Sequence, residues 1–393
     1  MRGLRGLIRP IRLIRPMGLI GLIGLMGCSS ELSEEREKPE AGIAIIFSAR
    51  QGEEGTITRG SHKEGTITRG SLKEGSITRA GQGLEEVLPD GKKVFKAWAY
   101  KNSGENYSNA QEVMKDYTVR WVASTAHTTS SNSDDWEYVN QQAGGQPEQT
   151  IKYWDWSATA YRFFGMAGGS GTYGANEANG AYTFTIAVDA SSQLAIDDIA
   201  YYSKMWFSTG NPTYYPTRQF GRSVQLEFVK PIARVRFMFI YENPEDEGVT
   251  TLSGKRFAPP SGNVIHQDGT VTVTYPLTGA TTTEDYEVVQ GTSGISYFDQ
   301  DYYETPNDVF ARKWYYVLPT PSIGQGAYTL TVMVNGVEKT AVVPAAYMNW
   351  LPGYQYTYIF KVHVDGGVSI DSVQSAFTPW HTEELGNHAV FNW

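Results

Sequence analysis

The stretch Tyr354-Gln355-Tyr356-Thr357-Tyr358-Ile359-Phe360-Lys361-Val362-His363-Val364 alternates along almost its whole length. Tyr354, Tyr356, Tyr358, Phe360, Val362 and Val364 share one face, and Gln355, Thr357, Ile359, Lys361 and His363 share the other. A period of two belongs to a β-strand with one face buried. The pattern recurs at Tyr117, Val119, Trp121 and Ala123, at Val224, Leu226 and Phe228, and at Val235, Phe237, Phe239 and Tyr241. Further strands are expected at 94–100, 151–156, 182–188, 314–318 and 328–334. The last of these turns at Asn335-Gly336 into 337–343. No long stretch carries a persuasive 3.6-residue apolar stripe. Many short strands between turn residues predict an all-β chain built as sandwiches or barrels.

Composition agrees. Tyr, Trp, Thr, Ser and Gly are plentiful while Leu, Lys and Arg are sparse, a balance that favours strands. The single cysteine, Cys28, excludes internal disulfides, so the domains must be held by their cores. Before it lie five arginines with no acid, then an apolar run from Met17 to Gly27. That is the layout of a signal peptide at 1–27, and the run is about half the length of a membrane-spanning helix. The string Leu25-Met26-Gly27-Cys28 resembles a bacterial lipobox, so Cys28 is the expected lipidation (palmitate) site. Removal of 1–27 leaves 28 basic residues against 42 acidic ones, a net charge of −14. Such a surface argues against nucleic acid or anionic lipid as a partner.

Residues 28–40 read as an acidic, disordered tether. A strand is expected at 43–47. A ten-residue repeat follows: EGTITRGSHK at 54–63, EGTITRGSLK at 64–73 and EGSITRAGQG at 74–83. Each copy holds one β-prone triplet between glycines, too little to bury a face, and reads as a flexible insert presenting Arg59, Arg69 and Arg79 in like settings. Exposed small-residue segments are favoured by proteases. The proline-containing stretch 211–221 suggests a boundary, with one sandwich at 41–215 and a second at 216–393.

Catalytic signatures are absent from the sequence. The six histidines show no zinc-site spacing, and no Gly-x-Ser-x-Gly elbow occurs. Gly169-Ser170-Gly171-Thr172-Tyr173-Gly174 fits GxGxxG, but no amphipathic helix follows to supply N-terminal amides to a phosphate. The chain is therefore read as a non-enzyme, with no cofactor and no metal. Aromatic clusters carry more weight, the densest being Tyr153-Trp154-Asp155-Trp156. Core or interface is the favoured reading; Trp154 and Trp156 are also candidate platforms for a sugar ring. The alternative function is accordingly a monomeric, outer-membrane glycan-binding lipoprotein.

Four segments together resemble the fimbrillins, the pilins of Bacteroidales fimbriae. They are the lipobox at Cys28, the Ile-Thr-Arg strings leading to VFKAWAYKN at 94–102, VQLEFVKPIARVRFMF at 224–239 and WLPGYQYTYIFKV at 350–362. The resemblance implies two transthyretin-like (Greek-key) β-sandwiches in tandem. It also implies surface export to the outer membrane, trimming by an arginine-specific protease, and donor-strand exchange between subunits of a fimbria that serves adhesion to a host or bacterial surface receptor. The cleavage candidates are Arg79, Arg69, Arg59 and Arg50, more sites than the single one usual in the family. After the long strand near 354–364 comes a tail, 368–393, in which Val368, Ile370, Ala389, Phe391 and Trp393 fall at alternate positions, with Val390 the one bulky apolar residue between them, and this tail is the donor-strand candidate.

Replacing Cys28 by Ala is expected to abolish fatty-acid labelling and to release the protein from the membrane fraction, because each buried lipid methylene contributes about 0.8 kcal/mol to anchoring. Detergent partitioning with labelled palmitate checks this. A labelled Cys28→Ala protein would refute it.

Overall fold

The structure, a computed structural model, describes residues 43–51, 54–60, 84, 88, 92–122, 136–141, 149–169, 173–209, 220–242, 251–300, 314–320 and 326–377. In chain order the strands begin β1 (Phe47–Gln51), β2 (Glu54–Gly60), β3 (Val94–Ser103), β4 (Asn109–Trp121), β5 (Trp136–Glu137) and β6 (Ala160–Ala167). Then come β7 (Tyr173–Ala178), β8 (Ala181–Asp189), β9 (Tyr201–Ser203), β10 (Trp206–Thr209), β11 (Val224–Val229) and β12 (Ala233–Tyr241). Next are β13 (Leu252–Ala258), β14 (Ile265–His266), β15 (Asp268–Pro276), β16 (Asp285–Gln290), β17 (Gly294–Ile295) and β18 (Phe298–Gln300). The last are β19 (Tyr315–Val317), β20 (Tyr328–Val334), β21 (Val337–Val343), β22 (Tyr354–Val362) and β23 (Val368–Phe377). The chain is nearly all β and sandwich-like, as the alternation predicts.

The first sheet runs β10-β6-β3-β4-β5-β1-β11-β9, and β6 pairs also with β9. The sheet therefore closes on itself, with β6 bonded to β3 on one side and shared between β10 and β9 on the other. Inside the ring lie Phe47, Phe95, Val119, Trp136, Phe163, Leu226 and Phe228. Strands β3 and β6 are covered on both faces: Trp98, Tyr100, Phe164 and Met166 point outward into a second core, where they meet Phe184, Val271 and Tyr275. Double burial explains why β6 reads AYRFFGMA, a run with little alternation.

That second core is roofed by the sheet β16-β15-β8-β7, in which β15 pairs with β8 from Asp268↔Asp189 to Pro276↔Ala181. Arg162, wholly buried in β6, pins the β15–β16 turn to the ring. Its guanidinium donates to the carbonyls of Pro276 (2.8 Å), Thr281 (2.6 Å) and Gly279 (2.6 Å) and to Asn102 Oδ1 (3.1 Å). Burial pulls its pKa down to about 10. A third core lies between the sheets β19-β12-β22-β23-β2 and β18-β13-β20-β21. Here Tyr356, Tyr358, Phe360 and Val362 face inward as their spacing predicts, and Trp350 Nε1 donates to the Tyr358 hydroxyl (2.9 Å). The hairpin β20–β21 turns at Asn335 and Gly336, both at positive φ, the geometry an Asn-Gly pair adopts at little cost.

Several elements differ from expectation. The segment 151–156 is no strand: only Tyr153 makes an isolated bridge, to Ala44. Strand β22 stops at Val362, and a turn closed by His363 N–H to the Gly367 carbonyl (2.8 Å) leaves Val364 exposed. Gly174 lies within β7, so the GxGxxG match, expected to lack a following helix, runs into a strand in place of the expected loop. Among the described residues, sheets draw strands from both sides of 215/216: β11 belongs to the first ring, and β15 pairs with β8. Local turn residues announce a change of direction, whereas sheet membership is set by long-range pairing.

Gly165, in β6, has no room for a side chain. A Cβ there would stand 2.9 Å from the Lys96 carbonyl oxygen and 3.2 Å from both Leu226 and Phe228. Gly165→Ala is expected to destabilise the fold by about 1–3 kcal/mol through overpacking, read as a lowered denaturant midpoint with unchanged slope.

Candidate functional site

The segment that enters the first ring is short and alternates. Ile45, Phe47 and Ala49 are buried inward, while Ile46, Ser48 and Arg50 face the other way and are less buried. The strand thus lies at Phe47–Gln51, four residues later than the apolar run at 43–47 suggested. The cause is its partner: β1 runs parallel to β11 in register from Phe47↔Val224 to Gln51↔Phe228, which carries the ladder through Arg50. On the other side β1 meets β5 at a single pair, Phe47↔Trp136. The strand is a stave of the closed ring, held firmly on one edge and thinly on the other.

Phe47 is the anchor. Its ring meets Phe95 (5.9 Å), Tyr138 (5.9 Å) and Phe163 (6.0 Å) edge-on. The approach to β1 is bonded as well. Ile45 N–H donates to the Lys152 carbonyl (2.8 Å), Trp154 N–H to the Ile43 carbonyl (3.0 Å), and the Tyr138 hydroxyl to the Ile45 carbonyl (2.9 Å). Burial raises the Tyr138 pKa still further above neutrality. Tyr138 and Trp136 flank the buried Glu137, which accepts from the N–H groups of Tyr138 and Val139 at 2.8 Å each. A two-residue strand is too short to show a period, which is why the sequence assigns no strand to these residues.

The candidate residues fall in different places. Arg50 lies in β1, ion-paired to Glu227, and Arg59 lies in β2, opposite Val373 of β23. Glu54–Gly60 of the first repeat copy is thus an edge strand and not part of a flexible insert, because β23 offers it a free ladder. Cys28, Arg69, Arg79, Ala389, Phe391 and Trp393 lie outside the described residues. Val368 and Ile370, proposed as donor residues, sit half-buried in β23, opposite Val362 and Phe360 of the same chain. Trp154 is no sugar platform: it is 4% exposed and packed against Tyr161 (4.9 Å), Phe220 (5.3 Å) and Phe163 (5.7 Å). Without a strand at 151–156 nothing turns its ring outward. Trp156 is 49% exposed and keeps an open face beside Phe220. Asp155 between them is held down to about 2 by its hydrogen bonds from Lys101 and Ser157. Among the described residues no group of three His, Cys, Asp or Glu side chains could hold a metal.

No family model and no curated protein matches the sequence. Among solved structures the chain is similar to a fimbrial protein from Bacteroides vulgatus, at 14% identity and a TM-score of 0.40, covering 75% of this chain and 96% of that one. It is similar also to a proposed cell adhesion protein from Bacteroides ovatus, at 11% identity and a TM-score of 0.37, covering 87% and 99%. A proposed polysaccharide-binding protein from Bacteroides thetaiotaomicron follows at 8% identity and a TM-score of 0.26, covering 68% and 84%.

Phe47→Ala is expected to cost about 3–5 kcal/mol, the range for emptying a well-packed aromatic site. Hydrogen exchange should then quicken at Val224–Val229 and stay unchanged in β22, which packs in another core. Uniform acceleration throughout would show that β1 is not a separable stave.

Proposed function

We propose that this chain is a structural subunit of a cell-surface fimbria, exported as a lipoprotein anchored at Cys28 in the outer membrane. An arginine-specific protease trims it, and donor-strand exchange joins it to other fimbrial subunits for adhesion to a surface receptor. One observation carries the reading: the earliest strand of the described chain, β1, is an internal stave of a closed sheet and yet a separate segment of chain.

Withdrawal of β1 would uncover Phe95, Tyr138 and Phe163 and open the edges of β5 and β11 to solvent. An unpaired, apolar slot is strongly unfavourable, and an extended segment of another subunit refills it by β-augmentation. Arg50 and Arg59 are engaged in strands, so cleavage is assigned to Arg69 or Arg79, downstream of both β1 and β2. Because Val368–Phe377 already pairs with β22, the donor is assigned to 378–393, with Ala389, Phe391 and Trp393 as its apolar residues. The open face of Trp156 supports a second reading, sugar binding by the uncut monomer, in which sugars would quench its fluorescence.

Mass spectrometry of fibres from cells is expected to find a mature N-terminus at Gly70 or Ala80. Deleting 378–393 is expected to leave a folded, trimmed monomer that does not polymerise. Fibres with an intact N-terminus, or normal polymerisation of the truncated chain, would overturn the proposal.

A further inference from the structure

Strand β2 is the first copy of the repeat, laid antiparallel along β23 at the edge of its sheet. The register runs Ile57↔Ser375, Thr58↔Gln374, Arg59↔Val373 and Gly60↔Ser372, with a bulge toward Glu54↔Phe377. Its septet, EGTITRG at Glu54–Gly60, recurs letter for letter at 64–70. The third copy, EGSITRA at 74–80, differs at Ser76 and Ala80. A sheet edge recognises a strand chiefly through main-chain N–H and C=O groups. Two identical septets offer the same donors, acceptors and side chains, so their sequence gives the edge nothing by which to tell them apart. Glycine-rich strands that are polar on both faces also specify register weakly.

We infer that the edge of β23 is a docking site for the repeat unit, and that the second copy, 64–70, is the alternative occupant of the place β2 holds. Only chain connection distinguishes the two. With the first copy docked, two residues join Gln51 to the slot; with the second, 12 do. Loop closure scales as length to the power 3/2, which favours the first copy about 15-fold. On the far side, the link to buried Leu84 shortens from 23 residues to 13, which favours the second copy about 2.4-fold. The balance is about sixfold for the first copy, so the second occupies the edge in about one molecule in seven.

The consequence for processing rests on the fimbrial reading. A cut after Arg69 removes both identical septets and leaves the third copy, 74–80, on the body as the one remaining cover for the same edge. A cut after Arg79 removes all three copies and opens β23 to another strand. The choice of arginine then decides whether one sheet or two accept a neighbour.

The test uses the full-length, uncut protein with Cys28→Ser, which has no other thiol. Ser375→Cys is combined with Ile57→Cys in one protein and with Ile67→Cys in another, and disulfides are measured in a glutathione buffer by peptide mass spectrometry. Directly opposed strand positions fall within disulfide reach. The 57–375 link is expected to dominate, and the 67–375 link to form with about one-sixth of its effective concentration. Adding Ile57→Pro and Thr58→Pro to the second protein removes a ladder donor from the first copy, since one of two successive N–H groups faces β23, and should drive the 67–375 link toward completion. Absence of the 67–375 link in both backgrounds would overturn the inference, as would absence of the 57–375 link. Neither measurement needs cleavage or fibres, so a failure of the fimbrial reading would leave this result standing and the reverse.

Discussion

Closure of the first sheet is the constraint on which the rest of the molecule depends. Pairing of β6 with β9 as well as β3 and β10 turns an open sheet into a ring, and the ring completes only because β1 bridges β5 and β11. The bridge is lopsided: five residue pairs to β11 against one to β5. An open sheet here would present two apolar edges, a standing invitation to association with other chains. Closure of the ring therefore rests on that one stave.

The second consequence of closure is that β3 and β6 carry two cores at once. Their inward residues fill the ring, and their outward aromatics support the roof formed by β8 and β15. Such strands tolerate neither a larger nor a polar residue on either face, save where a full set of partners is provided. Arg162 has that set: three carbonyls and an amide oxygen surround a cation that no water reaches. Burying an unpaired charge would cost far more than its hydrogen bonds return. Here the carbonyls come from a turn in a distant part of the chain, so the arginine fixes that turn in place.

Strands with one buried face were legible in the sequence. The inward set Tyr356 to Val362 and the Tyr328–Val343 hairpin, with its Asn-Gly turn, stand where a two-residue period and turn chemistry put them. Legibility failed where the partner, and not the period, decides the outcome. The aromatics of Tyr153-Trp154-Asp155-Trp156 suggested a strand, yet Trp154 is drawn into the ring by Tyr161 and Phe220, and no ladder forms. Strand β1 moved from the most apolar stretch to one containing Arg50, because β11 supplies a continuous parallel ladder there. The repeat looked too weak to form structure, yet Glu54–Gly60 of its first copy is a strand because β23 supplies an edge.

By itself, then, the sequence determined the all-β class, the inward faces of the principal strands, the repeated septet and the absence of disulfides, since each is a property of composition or of spacing along one segment. The tertiary structure alone decided which strands are neighbours, that the first sheet closes, that Trp154 is buried while Trp156 is open, and that β11 and β15 join sheets begun before residue 215. The physical reason lies in the range of the interactions. A side-chain period is written within a few residues, whereas a ladder is chosen by competition among edges far apart in the chain, and the winner is the pairing that leaves the fewest main-chain groups and apolar faces open to water.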